Sequence, residues 1–299
     1  MRFFLTIFFL IINVSCSSAD AEISVENLYL ANETILYKQT NSDSNLTSLD
    51  VYTVKNSTSV KPVVIWIHGG AWVTGDKAND MIKKAPFFNN LGYVFVSVNY
   101  RLSPFPYETD NNLRIKHPAH IIDVADALHW IANNIHKYGG DASKITLMGH
   151  SAGAHLVALA ATNQQLFVDS NINFSSIKGV VSLDTQAYNV PLAVTNSLQT
   201  ELYINAFSND LETQKDASPF YQLDNYSTTV KNWLFASRGT SFRKEILNDF
   251  VTKLQTKNAV AKVVSMDAYT HEEVNDLIAD TSNSILSTQI KLFLQTVFN

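Results

Sequence analysis

One serine of the sequence lies in a setting that favours nucleophilic chemistry. Residues 149–153 read Gly-His-Ser-Ala-Gly, between an apolar stretch, Ile145 to Met148, and an alanine-rich stretch, Ala152 to Ala161. A Gly-x-Ser-x-Gly sequence between a strand and a helix places the serine on a sharp, strained turn, with its hydroxyl at the carboxyl edge of a sheet. A side chain at either glycine would collide with the neighbouring strand or helix. Ser151 is therefore the candidate nucleophile.

A glycine-rich turn upstream could stabilise the negative charge that such a serine generates. The run His68-Gly69-Gly70-Ala71-Trp72 directly follows the apolar stretch Val63 to Ile67. Adjacent glycines allow a turn whose backbone N–H groups point into a site, and acyl transfer requires donors aimed at the developing oxyanion. The alternative is a tight strand-to-helix turn that binds nothing. Its place one strand–helix unit before Ser151 favours the catalytic interpretation.

The elements that must position these residues alternate between strand and helix. Continuous apolar, β-branched runs predict strands buried on both faces. The predicted strands are Thr34 to Lys38, Leu49 to Val54, Val63 to Ile67, Tyr93 to Val98, Ile145 to Met148, Ile177 to Leu183, Asn232 to Ala236 and Ala259 to Ser265. The predicted helices are Pro118 to His136, Ala152 to Ala161, Phe242 to Gln255 and Ser284 to Val297. This alternation predicts an α/β fold with a mostly parallel central sheet and helices on both faces. Residues 185–228 break the rhythm, with few clear elements, and are interpreted as a cap or long loop over the active edge.

These motifs together resemble the α/β-hydrolase family. The similarity is to its branch of small carboxylesterases, arylformamidases and feruloyl or acetyl xylan esterases, which share the His-Gly-Gly-x-Trp loop. Further matching segments are Gly75 to Lys77, Val98 to Leu102, His117 to His120 with Asp123, Tyr138 to Asp141, Gly149 to Leu156 and Tyr269 to Asn275. The resemblance implies an α/β-hydrolase fold and a serine esterase that works through an acyl-enzyme, without a cofactor.

The resemblance also implies roles for individual residues. Ser151 would be the nucleophile, and the N–H groups of Gly70, Ala71 and Ala152 would form the oxyanion hole. His68 would shape its loop through hydrogen bonds, and His155, one turn beyond the serine, is interpreted as a buried packing residue rather than a proton carrier.

In the α/β-hydrolase fold, the catalytic residues follow one another along the chain in the order serine, acid, histidine. After His155 the sequence has one further histidine, His271, which follows the last predicted strand and is the expected general base. The acid is a harder assignment.

Most relatives carry the acid after the strand that corresponds to Asn232 to Ala236, but here residues 237–244 contain no carboxylate. Asp184, after the preceding strand, is the favoured acid because a carboxylate there could fix the imidazole tautomer. Glu245 and Asp210 are alternatives, and a Ser151–His271 dyad oriented by water or a carbonyl group is another.

The N-terminus is expected to be an export signal. Met1-Arg2 precedes an apolar run from Phe3 to Ile12, and small residues follow around Ser15 to Ala21. This order is typical of a secretory signal peptide. Residues 1–21 are therefore assigned to a signal peptide and 22–299 to a single catalytic domain, secreted or periplasmic. Cys16 is the one cysteine, so a mature chain would lack disulfides; lipid attachment there is a weaker alternative.

Composition limits the partners. Lys and Arg total 22 against 27 Asp and Glu, a net charge of −5, which gives no reason to expect nucleic acid. No metal site is expected, because the histidines at 117, 120, 129 and 136 have no carboxylates at ligand spacing. A small-molecule or carbohydrate-linked ester is the expected partner, and no membrane span is expected in the mature chain. An arylformamidase-type amidase, and a non-catalytic binding protein on the same scaffold, are the alternatives.

Overall fold

The computed structural model describes residues 34–54, 59–108, 114–168, 172–196, 198–280, 282 and 284–299. The predicted signal peptide and Cys16 lie outside the described residues. No helix of the described ranges is both long enough and apolar enough to cross a membrane.

Eight strands of the described residues form one sheet. They are β1 (Ile35–Leu36), β2 (Ser48–Tyr52), β3 (Lys61–Ile67), β4 (Val94–Val98), β5 (Gly140–His150), β6 (Ile177–Leu183), β7 (Asn232–Ser237) and β8 (Val260–Ser265). Their spatial order is β1-β2-β4-β3-β5-β6-β7-β8. β2 pairs antiparallel with both β1 and β4. The six strands from β4 to β8 in this spatial order pair parallel with one another. The carboxyl ends of β3, β5, β6 and β7 therefore meet at one edge of the sheet.

Helices connect the strands and cover the sheet. They are α1 (Met81–Asn90), α2 (Ala119–Asn134), α3 (Ala152–Thr162), α4 (Gln165–Val168), α5 (Val190–Asn196), α6 (Thr200–Phe207), α7 (Leu211–Asp216), α8 (Pro219–Gln222), α9 (Ser241–Thr256), α10 (His271–Asp276) and α11 (Ile285–Phe298). Short 3₁₀ segments lie at Ser44–Thr47, Ile135–Tyr138, Phe174–Ser176 and Leu277–Ala279.

The central strand β3 shows why the sequence forms a sheet buried on both faces. Successive side chains of a strand point to opposite faces. Val63, Ile65 and Ile67 pack in one core with α2 and α3, whereas Val64 and Trp66 pack in a second core with α1 and α11. Each such side chain, when fully buried, contributes about 1.5–3 kcal/mol of hydrophobic free energy. The apolar run of β3 is continuous because its side chains pack in two cores, one on each face of the sheet.

The mostly parallel sheet with helices on both faces confirms the predicted fold class. The bounds of the predicted strands and long helices agree to within a few residues, and β6 agrees at both ends. Residues 185–228, interpreted as a cap or long loop, contain the helices α5 to α8. Each is only four to eight residues long. Such short helices carry too few turns for a periodic apolar pattern to stand out.

Candidate active site

Ser151 lies on a strained turn between β5 and α3. Its φ is 56° and its ψ is −119°, a backbone conformation that non-glycine residues rarely adopt. Its N–H donates a hydrogen bond of 2.9 Å to the carbonyl of Leu183, at the end of the neighbouring strand β6. The strand pairing and the helix behind it therefore hold the serine at the carboxyl edge of the sheet, where local strain is typical of functional positions.

The two glycines of this turn make the sharp crossing of strand and helix possible. A Cβ atom at Gly149 would lie 2.4 Å from the backbone of Gly153. A Cβ atom at Gly153 would lie 2.0 Å from the carbonyl oxygen of Ile67 on β3. Both contacts are with backbone rather than with a flexible side chain, so neither can be relieved by a change of rotamer.

We expect Gly153→Ala to lower the free energy of unfolding by about 3 kcal/mol, because the added methyl must displace β3 or α3. Urea denaturation measures this directly. Gly92→Ala is the matched control: its φ is +91°, but a Cβ atom there meets nothing within 4 Å. The control should cost only about 1–2 kcal/mol of backbone strain. Equal losses in the two variants would contradict the packing argument.

The turn after β3 brings backbone groups to the same edge. Gly70, Ala71 and Trp72 all have positive φ, at 112°, 52° and 63°. His68 is buried beside this turn: its Nδ1 donates to the carbonyl of Gly69 at 2.7 Å, and its ring stacks on Tyr100. Burial lowers the pKa of His68. The histidine is therefore a neutral support of the loop.

Asp184 directly follows β6 and lies beside the serine turn. Its φ is 52°, and its N–H donates to the carbonyl of Ala236 on β7 at 3.0 Å. The side chain is only 1% exposed. Its Oδ2 accepts a hydrogen bond of 2.6 Å from Nδ1 of His271. The structure thus brings the favoured acid and the expected base into direct contact.

His271 is the first residue of α10, after the last strand. Thr270 caps this helix, with its hydroxyl accepting from the N–H of Glu273 while the Glu273 carboxylate accepts from the N–H of Thr270. The cap fixes the point at which the imidazole leaves the backbone. The ring centroid lies 4.3 Å from that of His150, the residue before the nucleophile. His271 and Ser151 line the same cavity.

Asp184 is held by three cationic or hydrogen-bonding side chains. Besides His271, Arg243 donates from Nη2 to Oδ1 at 2.5 Å, and Arg238 donates from Nη1 to Oδ2 at 3.2 Å. Burial raises the pKa of Asp184, but the hydrogen bond from His271 and the charges of the two arginines outweigh it, so the pKa of this carboxyl is below its usual value. The acid is therefore ionised at neutral pH.

The other acids considered from the sequence lie elsewhere. Asp210 is exposed and caps α7, where its Oδ2 accepts from the N–H and hydroxyl of Thr213. Glu245 is an exposed residue of α9. Neither residue lines the cavities beside Ser151.

The remaining histidines near the turn are neutral. His155 is fully buried, and its Nε2 donates to the carbonyl of Ala217 at 2.7 Å. Burial, opposed by this hydrogen bond, lowers the pKa of His155 to about 3. Burial and the nearby His271 lower the pKa of His150 to about 3. These two rings are therefore uncharged at neutral pH, each with a single N–H proton.

We expect Asp184→Asn to lower kcat for an ester by about 10⁴-fold, because an asparagine neither fixes the correct imidazole tautomer nor stabilises the imidazolium. Steady-state kinetics on a p-nitrophenyl ester measures the effect. Glu245→Gln, an exposed carboxylate-to-amide change, is the control and should retain full activity. Near-normal activity of Asp184→Asn would favour the dyad alternative instead.

His150, Asp184 and His271 also place ligand atoms within 4.8 Å of one another, a spacing that a metal ion could use. The charges around them oppose this. Both carboxylate oxygens of Asp184 accept hydrogen bonds from guanidinium groups, whose positive charge would repel a divalent cation. This cluster fits an acid–base pair better than a metal centre.

Two cavities meet at the nucleophile. One, of about 610 Å³, is lined by Ala152, Asp184 and the arginine pair, and by residues of the helical segment 185–228 such as Tyr203. The other, of about 880 Å³, runs along the glycine turn. Ser151, His271 and Ala71 line both. Gly70 and Ala71 from one turn and Ala152 from the other thus line the space beside Ser151.

The parallel sheet, the serine turn and the Asp184–His271 pair at its carboxyl edge define an α/β-hydrolase. The model of the BD-FAE family matches residues 49–230, more than half of the chain. The protein belongs to the BD-FAE family. This match ends before Arg238, Arg243 and His271.

Several known proteins are similar. Esterase LipQ of Mycobacterium tuberculosis is 44% identical over 100 residues, 33% of this chain and 22% of LipQ. The probable isoprenylcysteine alpha-carbonyl methylesterase ICMEL1 of Arabidopsis thaliana is 27% identical over 241 residues, 76% of this chain and 48% of that protein. The matches therefore span between about a fifth and a half of these relatives.

Among solved structures, esterase B from Lactobacillus rhamnosis superposes with a TM-score of 0.69 at 17% identity, covering 89% of this chain and 84% of that one. At this level of identity the likeness establishes the α/β-hydrolase fold, in agreement with the prediction from the sequence.

The arginine pair is the part of the site that sequence reasoning missed. The signal was present in the segment after β7, where a carboxylate was expected but where Arg238 lies in the loop and Arg243 in the first turn of α9. In the sequence, the missing carboxylate indicated only a difference from the family pattern, which left the identity of the acid open. The basic residues of this segment are in fact the partners of an acid on the neighbouring strand.

Proposed function

We propose that this protein is a serine esterase that hydrolyses carboxylic esters through an acyl-enzyme. The observation that carries the proposal is the 2.6 Å hydrogen bond between Asp184 and His271 at the cavity that also contains Ser151. A serine hydroxyl is a weak nucleophile until a base removes its proton, and this pair supplies an oriented base. The names of the similar proteins LipQ and ICMEL1 support the same class of reaction.

The proposed reaction has two halves. Ser151 Oγ attacks the ester carbonyl while Nε2 of His271 takes its proton, since Nδ1 is committed to Asp184. The resulting oxyanion accepts hydrogen bonds from the N–H groups of Gly70, Ala71 and Ala152. The imidazolium then protonates the leaving alcohol, whose C–O bond breaks. Water, activated by His271, attacks the acyl-enzyme and releases the acid with Ser151 restored.

The two cavities support substrates with a group on each side of the scissile bond. Trp72 is almost fully buried, and its ring contacts Tyr203 and Phe207 of α6 edge-on, so the helical segment 185–228 packs closely on the glycine turn. Polar residues such as Gln186 and Thr240 line the smaller cavity beside Phe242. Small esters, including those of sugars, fit this mixed surface.

A panel of substrates tests the proposal. Purified protein should hydrolyse p-nitrophenyl acetate and butyrate with kcat/KM far above the background rate, and an acetylated xylo-oligosaccharide should release acetate if sugar esters are accepted. The panel also includes one amide substrate, N-formylkynurenine. Preference for this amide over every ester would indicate the arylformamidase alternative, and inertness toward the entire panel would favour a binding protein.

We also propose that the chain is exported, on the strength of residues 1–21, with a charged start, an apolar run and small residues at the end. Expression of the full chain should yield, outside the cytoplasm, a protein that starts near residue 22. N-terminal sequencing of that fraction measures this. Full-length protein retained in the cytoplasm would contradict the proposal.

A further inference from the structure

The acid of this site lacks the support that a carboxylate would have on an exposed loop. Asp184 is 1% exposed, and burying a charged carboxylate costs several kcal/mol unless it is paired and hydrogen-bonded. Arg238 and Arg243 provide the opposite charge, and both come from the segment after β7 where relatives were expected to carry the acid itself.

Arg243 is fixed at every nitrogen of its planar head. Its Nε donates to the carbonyl of Arg238 at 3.2 Å, its Nη1 to Oε1 of Gln186 at 3.3 Å, and its Nη2 to Asp184. Gly239 allows this side chain to fold back over the turn, because a Cβ atom there would lie 3.1 Å from Cδ of Arg243. A guanidinium held in this way has little freedom to leave the carboxylate.

Arg238 joins the acid to the loop that carries the base. Its Nε donates to the carbonyl of Tyr269 at 2.9 Å, and its Nη1 donates to the same Asp184 oxygen that accepts from His271. Tyr269 lies two residues before His271. One side chain thus connects β6 with the start of α10, and these elements must keep a fixed separation for the Asp184–His271 hydrogen bond to persist.

We propose that Arg238 and Arg243 are positioning residues for catalysis, which hold Asp184 ionised and aligned with His271 and so permit the acid to lie after β6 instead of β7. The proposal rests on the proposed esterase function. It assigns the arginines no contact with the substrate: they act through the carboxylate. The net charge of the Asp184–Arg238–Arg243 group is +1, so the imidazole faces a cationic assembly rather than a lone carboxylate.

The charge balance predicts the direction of a pH effect. The charges of Arg243 and Arg238 help to lower the pKa of Asp184, so removing one arginine makes protonation of this carboxylate easier. This change moves the acidic limb of the kcat/KM profile to higher pH. The other titratable groups around Asp184 and His271 are the buried His150, Tyr188 and Tyr203, and Glu272 on the cavity wall. Burial raises the pKa of Tyr188 and Tyr203 and the charge of Arg243 opposes it, so loss of Arg243 leaves both phenols neutral across the acidic limb.

The experiment compares Arg243→Met with Arg243→Lys and a matched control, Lys244→Met. Lys244 is the next residue of α9 but pairs with Asp267 at the surface, so its loss removes one charge without touching Asp184. For p-nitrophenyl acetate we expect Arg243→Met to lower kcat by about 10-fold or more with KM within about twofold. We also expect an upward shift of the acidic limb, partial rescue by lysine, and no change in the control. Arg238→Met provides a second variant should Arg243→Met fold poorly.

A double-mutant cycle with Asp184→Asn decides whether the arginine acts through the acid. In the Asp184→Asn background, Arg243→Met should lower kcat by a further factor of less than about two, because the effects of coupled residues are not additive. An equal loss in both backgrounds, or an unmoved acidic limb, would overturn the inference. Absence of any Ser151-dependent hydrolysis in the unmodified protein is a separate result, which would refute the proposed function itself.

Discussion

Replacing Ser151 with alanine is expected to reduce kcat/KM for a p-nitrophenyl ester by about 10⁵-fold or more. The variant retains the oxyanion donors and the Asp184–His271 pair, but it has no atom that can form the acyl-enzyme. The fold should be unaffected, because alanine keeps the side-chain Cβ and the strained backbone at this position is set by β5 and α3. Any residual rate would come from water attacking a bound ester.

A fluorophosphonate probe gives this prediction a second measurement. The unmodified protein should form one covalent adduct, located at Ser151 by peptide mass spectrometry, and Ser151→Ala should form none. Ser241→Ala is the matched control, since Ser241 is an exposed serine at the start of α9, near the same cavity. Labelling that survives in Ser151→Ala would identify a different nucleophile and would refute the proposed mechanism.

Replacing His271 with alanine is expected to reduce kcat by a comparable factor, about 10⁵-fold, because nucleophile and base act as a unit. Without the imidazole the hydroxyl of Ser151 keeps its proton at neutral pH. The neighbouring His150 and His155 are too weakly basic to replace His271, because each is buried and has a pKa of about 3. The loss should be largest near neutrality and should shrink at alkaline pH, where hydroxide can assist.

The control for this change is His136→Ala, which removes an exposed histidine of the 3₁₀ segment Ile135–Tyr138 that follows α2. It should match the unmodified protein in kcat and in melting temperature. His271→Ala should also fail to react with the fluorophosphonate probe, because the probe reports the activated serine rather than its mere presence. Normal labelling of His271→Ala would mean that some other group activates Ser151.

The family match covers only part of this site. The BD-FAE match covers Ser151, the glycine turn and Asp184, but it does not cover His271 or the two arginines. In this protein the segment after β7 places two guanidinium groups against Asp184, the residue after β6, which is also hydrogen-bonded to His271.

Local sequence was enough for several parts of the site. Ser151 and its glycines follow from a strand–turn–helix pattern within about ten residues, where the backbone geometry is dictated by neighbours in the chain. The strands β3 and β6 follow from continuous apolar runs, since two buried faces leave no place for polar residues. His271 follows from its order in the chain and from the small number of histidines after Ser151.

Only the tertiary structure decided which carboxylate meets the base. The choice between Asp184, Glu245 and Asp210 depends on which strand ends lie side by side, and β6 sits between β5 and β7 although these are far apart in the chain. The arginine pair was decided in the same way. Arg243 and Asp184 are 59 positions apart, so no local pattern records their contact, whereas the cost of burying an unpaired carboxylate requires it.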